Sequence, residues 1–305
     1  MTETAKTETA VELNELVKRF PGVTALDHVS LSIPRHSVFA LLGSNGAGKS
    51  TGLSILVNLL QPTAGEARVL GKDSRTLCAE DFKRIGYVSE DRRLPHWLNA
   101  REFLDFLRPL YPDWDRDFEA KLLETLDIPV TRNLKHMSRG EKMKVRLLSN
   151  MAYRPRLLIL DEPFSGLDPV VREELSTGLL ELTGEADWTV ILASHDVEET
   201  ERLSDRVGIL HAGQLLLEGD VEELMQAHQQ VTVRFETPPS APPANGIFNW
   251  QVEGSVAGFV DPDYDPQRCR EKLATLGKVK TLEARPLSLR EIFVVRAKAK
   301  KRERG

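Results

Sequence analysis

The chain has 305 residues, of which 41% are hydrophobic and 29% are charged, an ordinary composition for a globular protein. Its formal net charge of −5 implies no general affinity for nucleic acid, and it has only two cysteines, Cys78 and Cys269, which do not fit a disulfide framework. No apolar run approaches the roughly 18–20 residues that cross a bilayer. We therefore expect any role at a membrane to be peripheral, through a partner.

Short apolar runs alternate with helical patterns along most of the chain. Residues 1–10 are polar, and we expect them to form a disordered tail. Beyond them, apolar runs bounded by turn residues are typical of strands in a parallel sheet that is covered on both faces. The predicted strands are Val38–Leu42, Ile85–Val88, Leu157–Leu160 and Thr189–Ala193. The helical patterns between them, such as DFEAKLLETLDI and EKMKVRLLSNMA, predict an α/β fold.

The composition changes towards the C-terminus. The sequence RVGILHAGQLLLEG predicts a hairpin that turns at Ala212 and Gly213, and the proline-rich stretch Glu236–Gly246 is typical of a loop or linker. The predicted segments are a core domain at 11–228, a helical subdomain within it at about 92–153, a small α+β appendage at 229–295 and a basic tail at 296–305. We expect the basic tail to be disordered.

A glycine-rich loop follows the first predicted strand. Residues Gly43–Thr51 read GSNGAGKST and fit the pattern G-x-x-x-x-G-K-[ST] between a strand and a helix. Glycines let backbone N–H groups close around phosphate oxygens, and the helix aims its positive end at the anion. Lys49 would neutralise the β- and γ-phosphates, and the Ser50 hydroxyl would bind Mg²⁺. The loop predicts a nucleoside triphosphate site, against the alternative of a flexible connection. Its predicted contact residues are Gly43, Ser44, Asn45, Gly46, Ala47, Gly48, Lys49, Ser50 and Thr51.

Two carboxylates end the apolar run LLILDEP. Asp161 and Glu162 would lie at the carboxyl end of a buried strand, which is the edge where open α/β sheets bind ligands. Asp161 is suited to holding Mg²⁺, and Glu162 to orienting and deprotonating an attacking water. The alternative is a strand that ends in solvated acids.

A capping box opens one of the predicted helices. In MSRGE, Ser138 and Glu141 have the S-x-x-E spacing in which each side chain bonds to the backbone N–H of the other residue. A structural cap is enough to explain both residues. The same helix start, with the small Gly140 beside a hydroxyl, would also bind an anion.

In this order and spacing, the motifs GSNGAGKST, MSRGE, LLILDEP, SGLD and ASHD resemble those of the ATP-binding subunits of ATP-binding-cassette (ABC) transporters. The resemblance covers residues 11–225. It implies a P-loop NTPase core of the ABC type, with ATP as the nucleotide and Mg²⁺ as the metal. It also implies that two chains complete each site, one giving the phosphate loop and the other the MSRGE helix.

The resemblance assigns roles to residues outside the phosphate loop. Phe20 matches the aromatic residue that stacks on adenine, although packing on the first strand is an alternative. Asp168 matches the loop that communicates across the dimer and also looks like a helix N-cap. His195 matches the switch histidine that would contact the γ-phosphate; an isolated histidine after a strand is otherwise structural. The residues expected to contact the γ-phosphate of the opposite protomer are Ser138, Arg139, Gly140 and Glu141. The implied catalytic set is Lys49, Glu162 and His195.

Two positions depart from the family pattern. The chain has YVSE where YVPQ is usual, so Glu90 replaces a glutamine that reaches Mg²⁺ and the membrane partner. A carboxylate can still bind Mg²⁺, and the expected metal ligands are Ser50, Glu90 and Asp161. Arg139 stands where glycine is common, and it could supply an extra cation or point outward.

The resemblance implies the motor subunit of a transporter. The stretch PLSLREIFV resembles the tails of ATPases that work with exporter-type (ABC-2) permeases. The implied partners are a second copy or a paralogous ATPase and an integral-membrane permease, without nucleic acid, at the cytoplasmic face of the cell membrane. The segment from Pro95 to about Arg132 is the expected socket for the permease, or else an ordinary packed subdomain.

The alternative function is a cassette ATPase that acts on ribosomes or nucleic acid. Ribosome-acting relatives usually carry two cassettes, whereas this chain has one copy of each motif. DNA-acting relatives insert a long coiled coil between the phosphate loop and the signature, and no sustained heptads occur here. A GTP switch would need an N-K-x-D base reader, which the chain lacks.

Overall fold

Three sheets organise the part of the chain that the computed structural model describes, residues 9–89, 91–184, 188–239 and 246–304. The strands are β1 (Thr9–Phe20), β2 (Val23–Pro34), β3 (Val38–Leu42), β4 (Ala64–Val69), β5 (Lys72–Asp73), β6 (Ile85–Ser89), β7 (Leu157–Asp161), β8 (Thr189–Ser194), β9 (Arg206–His211), β10 (Gln214–Asp220), β11 (Gln229–Phe235), β12 (Phe248–Glu253), β13 (Val256–Asp261) and β14 (Val279–Pro286). The α-helices are α1 (Lys49–Leu56), α2 (Ala79–Phe82), α3 (Ala100–Leu107), α4 (Arg116–Thr125), α5 (Arg139–Met151), α6 (Pro169–Gly184), α7 (Val197–Leu203), α8 (Val221–Ala227), α9 (Pro266–Ala274) and α10 (Leu289–Arg304). Short 3₁₀ helices lie at Ser74–Thr76, Arg108–Leu110 and Leu134–His136.

The six-stranded sheet carries the strands that the apolar runs predicted. Its order is β10-β9-β3-β8-β7-β6, and the pairs from β9 to β6 are parallel. The four predicted strands are confirmed as β3, β6, β7 and β8. The hairpin is confirmed too, because β9 and β10 are neighbours and Ala212 and Gly213 have φ values of 47° and 80°, as a tight hairpin turn requires.

Both faces of this sheet are buried, which confirms the α/β fold. Leu157 and Ile159 of β7 face a core shared with α1 and the antiparallel sheet. Leu158 and Leu160, on the opposite face, pack into a core with α5 and α6. Side chains alternate along a strand, so a strand that is apolar at every position has both faces covered.

The second sheet is antiparallel, in the order β2-β1-β4-β5, and the periodicity analysis did not anticipate it. It also corrects the expected tail at residues 1–10, because β1 begins at Thr9. Ala10 is buried, and its carbonyl accepts a hydrogen bond of 2.7 Å from the Leu70 N–H. The polar composition of residues 1–10 did not reveal that Thr9 and Ala10 belong to a strand of the antiparallel sheet.

Between β6 and β7 the chain forms α3, α4 and α5, and each helix begins at a side-chain cap. Asn99, Asp115 and Ser138 accept hydrogen bonds from N–H groups of the first turns of these helices. Ser138 and Glu141 exchange the two bonds of the predicted capping box, at 3.1 and 2.8 Å. Within the described ranges, no helix is both long enough and apolar enough to cross a membrane.

The chain divides into two compact units, with Gly219 as the first residue of the second. This is earlier than the expected boundary after residue 228, because α8 contacts α10 and β14. The second unit contains the antiparallel sheet β12-β13-β11-β14 with α8, α9 and α10. Part of the expected linker, residues 240–245, lies outside the described residues.

The basic segment 296–305 was wrongly expected to be disordered, since α10 continues through it to Arg304. The helix is anchored by Leu289, Ile292 and Val295, which are buried. Its last turns contain only alanine, lysine, arginine and glutamate, which are good helix formers. A charge run therefore extends a helix whose first turns are packed.

The second unit holds a buried histidine that generates a pH prediction. His228 is 1% exposed; its Nδ1 donates to the Leu224 carbonyl at 2.8 Å, and its Nε2 accepts from Arg296 at 2.9 Å. Burial lowers the pKa of His228 below its ordinary value of 6.5, against the raising effect of the Leu224 hydrogen bond. Because the unfolded state binds the proton first as the pH falls, we expect the second unit to lose stability below about pH 6.5.

Hydrogen–deuterium exchange of the full chain, between pH 7.5 and 5.5, measures this loss as reduced protection of β11 and α10. His228→Gln is the matched control, because its amide can both donate and accept but does not titrate. Equal pH dependence of protection in the wild type and in His228→Gln would contradict the prediction.

Candidate active site

Parallel pairing brings three strand ends together at one edge of the six-stranded sheet. Leu42, the last residue of β3, pairs with Ser194 of β8, and Ala193 pairs with Asp161 of β7. The phosphate loop follows β3, Glu162 follows β7 and His195 follows β8. The register therefore places the loop, the carboxylates and the histidine side by side at the edge where α/β sheets bind ligands.

The phosphate loop needs glycine at two positions for steric reasons. A Cβ on Gly43 would lie 2.4 Å from the Leu210 carbonyl oxygen. Gly48 has a φ of 109° and a similarly close approach to the Ala25 carbonyl. Between them, Ser44, Asn45 and Gly46 are exposed, so the loop is held at its two ends and presents its middle to solvent.

The Glu162 carboxylate lies between a lysine and a histidine. Its Oε1 is 3.0 Å from Lys49 Nζ, and its Oε2 is 2.7 Å from His195 Nδ1. Lys49 is only 4% exposed and also donates to the Gly43 carbonyl at 2.7 Å. The Glu162 side chain is 21% exposed, so this carboxylate remains accessible to a water. The three residues that sequence reasoning named as catalytic thus form one contiguous chain of charged and polar contacts.

A second pair of oxygens lies beside this chain. The Ser50 hydroxyl donates to Asp161 Oδ1 at 2.9 Å. Burial raises the pKa of the Asp161 carboxyl, and the hydrogen bond from Ser50 acts in the opposite direction. Among the described residues, no group of three or more His, Cys, Asp or Glu side chains is arranged to hold a metal. Two protein oxygens suit Mg²⁺, which keeps waters and takes its other ligands from phosphates.

Two other predicted residues differ in their surroundings. Phe20, at the end of β1, is 40% exposed, and Lys18 Nζ lies 5.0 Å from its ring centroid. An exposed ring is available for stacking, whereas a residue packed on the first strand would be buried. Asp168 accepts bonds of 3.1 Å from the N–H groups of Val170 and Val171, so it caps α6 as expected.

The signature residues form a separate group. Ser138 and Glu141 bond to each other, and Glu141 also pairs with Arg132. Within the described parts of the chain, no hydrogen bond joins Ser138 or Glu141 to the phosphate loop. Glu90 lies outside the described residues; it follows Ser89, which pairs with Asp161 across the ladder. The structure thus assembles the phosphate loop, both carboxylates and His195, whereas Ser138 and Glu141 bond to each other and Glu141 pairs with Arg132.

Sequence reasoning missed two residues beside the site. Arg172 of α6 pairs with Asp196 at 3.1 Å and with Glu199 at 3.2 Å, which links α6 to the helix that follows His195. Gly166 lies against the Arg139 guanidinium. Gly166 belongs to the SGLD motif, but no local pattern indicates its contact with Arg139 or the pairing of Arg172, since both join elements that are distant in sequence.

Comparison with known proteins agrees with these motifs. The ABC transporter family profile matches residues 26–165. The ABC transporter ATP-binding protein YtrB of Bacillus subtilis is 28% identical over 96% of this chain and 99% of its own length. The daunorubicin resistance ATP-binding protein DrrA3 of Streptomyces coeruleorubidus is 33% identical over 71% of this chain and 70% of its own length. The solved structure of cbiO1 from Clostridium perfringens, described as part of the ABC transporter complex cbiONQ, is 26% identical, covers 72% of this chain and 91% of its own, and has a TM-score of 0.62.

Replacing the buried lysine tests the nucleotide site. We expect Lys49→Ala to weaken ATP binding by about ten- to hundredfold, because charge-assisted bonds contribute roughly 1.5–3 kcal/mol. Fluorescent-nucleotide titration measures the affinity, and Lys278→Ala, at an exposed lysine of the second unit, is the control. Unchanged affinity in Lys49→Ala would refute the site.

Proposed function

Because this chain belongs to the family of ABC transporter ATP-binding proteins, we propose that it is the ATP-hydrolysing motor subunit of an exporter, working as a dimer on an integral-membrane permease. The observation that carries the proposal is the contact chain of Lys49, Glu162 and His195 beside Ser50 and Asp161. The similarity to DrrA3, a daunorubicin resistance ATP-binding protein, supports export. No contact or charge pattern in the described residues favours action on ribosomes or nucleic acid.

ATP binding follows from the loop and the helix behind it. The N–H groups of Gly43–Thr51 and the N-terminus of α1 would surround the β- and γ-phosphates. Lys49 would turn from Glu162 to the phosphates, and the exposed ring of Phe20 would stack on the adenine. Ser50 and Asp161, with Glu90 as a third candidate, would hold Mg²⁺, which neutralises charge that develops on the phosphates.

Hydrolysis needs a base at Glu162. Its carboxylate would accept a proton from the attacking water, and His195, 2.7 Å away, would orient the carboxylate and approach the γ-phosphate. Removing such a base typically costs about 10²–10⁴ in rate. The chain's own contribution is thus a carboxylate that His195 would still orient after Lys49 has turned to the phosphates.

The signature helix supports a dimer, because among the described residues its capping pair, Ser138 and Glu141, makes no hydrogen bond to the phosphate loop of the same chain. Ser138, Gly140 and the first N–H groups of α5 form a capped helix N-terminus. We infer that this end binds the γ-phosphate held by a second copy or a paralogous ATPase. ATP then joins two protomers, and the loss of the γ-phosphate releases them.

A groove between β6, α3 and α5 is suited to the permease. A cavity of about 190 Å³ is lined by Tyr87, Val88, Ser89, Arg92, Arg93, Leu94, Phe103, Leu107, Tyr111, Arg146, Ser149 and Asn150. It is smaller than the roughly 300–1,000 Å³ of small-molecule sites, so it fits one anchoring side chain of a partner protein. Trp97 and Phe106, on the same subdomain, are 79% and 63% exposed. These exposed aromatic side chains are typical of an interface.

The charge at the groove indicates the chemistry of the partner. Arg92 and Arg93 are both exposed, and among the described residues no carboxylate pairs with either of them. The Arg92 guanidinium lies 5.1 Å from the Tyr87 ring centroid, which holds it at the cavity. We infer that a permease helix bearing carboxylates docks here, with the chain at the inner face of the membrane.

Trapping the base-free enzyme tests the dimer. Glu162→Gln should lower kcat by about 10²–10⁴-fold and yield an ATP-bound dimer. Glutamine has the shape of glutamate, but its amide cannot accept a proton from the attacking water. Light scattering at saturating ATP measures the mass. The double variant Lys49→Ala/Glu162→Gln should need about ten- to hundredfold more ATP to dimerise, and a monomeric Glu162→Gln at saturating ATP would contradict the proposal.

Reversing charge at the groove tests docking. Arg92→Glu/Arg93→Glu should abolish copurification with the permease from detergent extracts while ATPase activity of the isolated subunit persists. Arg116→Glu, at an exposed arginine of α4 outside the cavity, is the control. Glutamate-to-lysine changes on the permease helix should restore binding of the reversed variant. Normal copurification of the reversed variant would refute this surface.

A further inference from the structure

The Arg139 side chain lies on Gly166, in the loop between β7 and α6. A Cβ built on Gly166 would be 2.1 Å from Arg139 Nη1 and 2.6 Å from its Cζ. Gly166 has a φ of +63° and no side chain, so the guanidinium occupies the space that any other residue would fill. Arg139 is exposed, and its guanidinium lies over Gly166 rather than extending away from the protein.

Two more contacts join the same pair of helices at successive turns. A Cβ on Gly140 would lie 2.5 Å from Val171 Cγ1, so the first turn of α5 packs against the first turn of α6. One turn further, Lys144 pairs with Glu174 at 3.2 Å, and Lys144 is buried. The N-terminal halves of α5 and α6 are thus bound together from Arg139 to Lys144.

The loop under Arg139 begins at the catalytic carboxylate. The Ser165 N–H donates to the Glu162 carbonyl at 3.2 Å, and the Leu167 N–H donates to the Phe164 carbonyl at 3.3 Å. These turns are tight, and Phe164 is buried. Gly166 therefore lies in the turn from Phe164 to Leu167, which overlaps the turn that begins at Glu162.

We propose that Arg139 is a positioning residue: its guanidinium, packed on Gly166, couples the position of the signature helix to the placement of the Glu162 carboxylate. This rests on the proposed function, in which the α5 N-terminus binds the γ-phosphate of the opposite protomer. Engagement of α5 by that phosphate then sets the carboxylate of the same chain for hydrolysis in its own site. The two sites of the dimer become linked through a contact within each protomer.

A double-mutant cycle tests the coupling, using ATPase kinetics of the wild type, Arg139→Gly, Gly166→Ala and the double variant. Gly166→Ala displaces the guanidinium only where Arg139 is present, whereas its backbone strain is the same in both backgrounds. We expect Gly166→Ala to lower kcat at least about threefold more in the wild type than in Arg139→Gly, with little change in the nucleotide affinity of the monomer. If Gly166→Ala lowers kcat by the same factor with and without Arg139, the proposal is overturned.

Arg139→Lys distinguishes planar packing from charge. Lysine keeps the cation but lacks the flat guanidinium that covers Gly166, so its kcat should fall to near that of Arg139→Gly. Wild-type kcat in Arg139→Lys would instead assign a direct charge contact with phosphate and overturn the positioning role. Because this variant leaves Gly166 intact, it remains decisive if thermal melting shows that Gly166→Ala does not fold.

Two results distinguish a protein that does not dimerise from a dimer in which Arg139 does not couple the sites. A monomeric Glu162→Gln at saturating ATP removes the dimer on which the inference rests. A dimer that forms normally, together with independent effects in the cycle, removes the Arg139 coupling alone.

Discussion

The candidate site depends on the in-register parallel pairing of β3, β8 and β7. Because Leu42 lies beside Ser194 and Ala193 beside Asp161, the residues that follow each strand meet at one edge. A shift by one residue would move the side chains of the candidate site to the other face of the sheet. Apolar cores on both faces of the sheet stabilise this register. The burial that stabilises the strands therefore also places the residues of the site.

The same strand register determines the contacts of the Glu162 carboxylate. The residue has a φ of 50°, its N–H donates to the Ala193 carbonyl at 3.0 Å, and its two oxygens contact Lys49 and His195. A lysine buried to this degree requires a paired charge or several acceptors. The contact that pairs Lys49 therefore also orients the proposed base before Lys49 turns to the phosphates.

The two halves of the proposed site differ in how they are built. The phosphate loop is assembled by a sheet edge, whereas the MSRGE helix is fixed by its own cap and by packing on α6. Arg139 of the MSRGE helix contacts Gly166, which lies in the loop that follows Glu162. In the proposed dimer, the phosphate loop and the MSRGE helix of one chain face different nucleotides. The contact of Arg139 with Gly166 therefore connects the two nucleotide sites through packing within one chain.

The sequence by itself determined β3, β6, β7 and β8, the β9–β10 hairpin, the α/β class, the phosphate-loop motif and the Ser138 cap, because each depends on neighbours in the chain. Periodicity missed β1 and β2 as an antiparallel sheet, and composition misjudged α10, since pairing and packing decided both. The Lys49–Glu162–His195 chain and the place of Arg139 were decided only by tertiary structure. Their contacts join residues that are 27 or more positions apart, and no local pattern encodes such a distance.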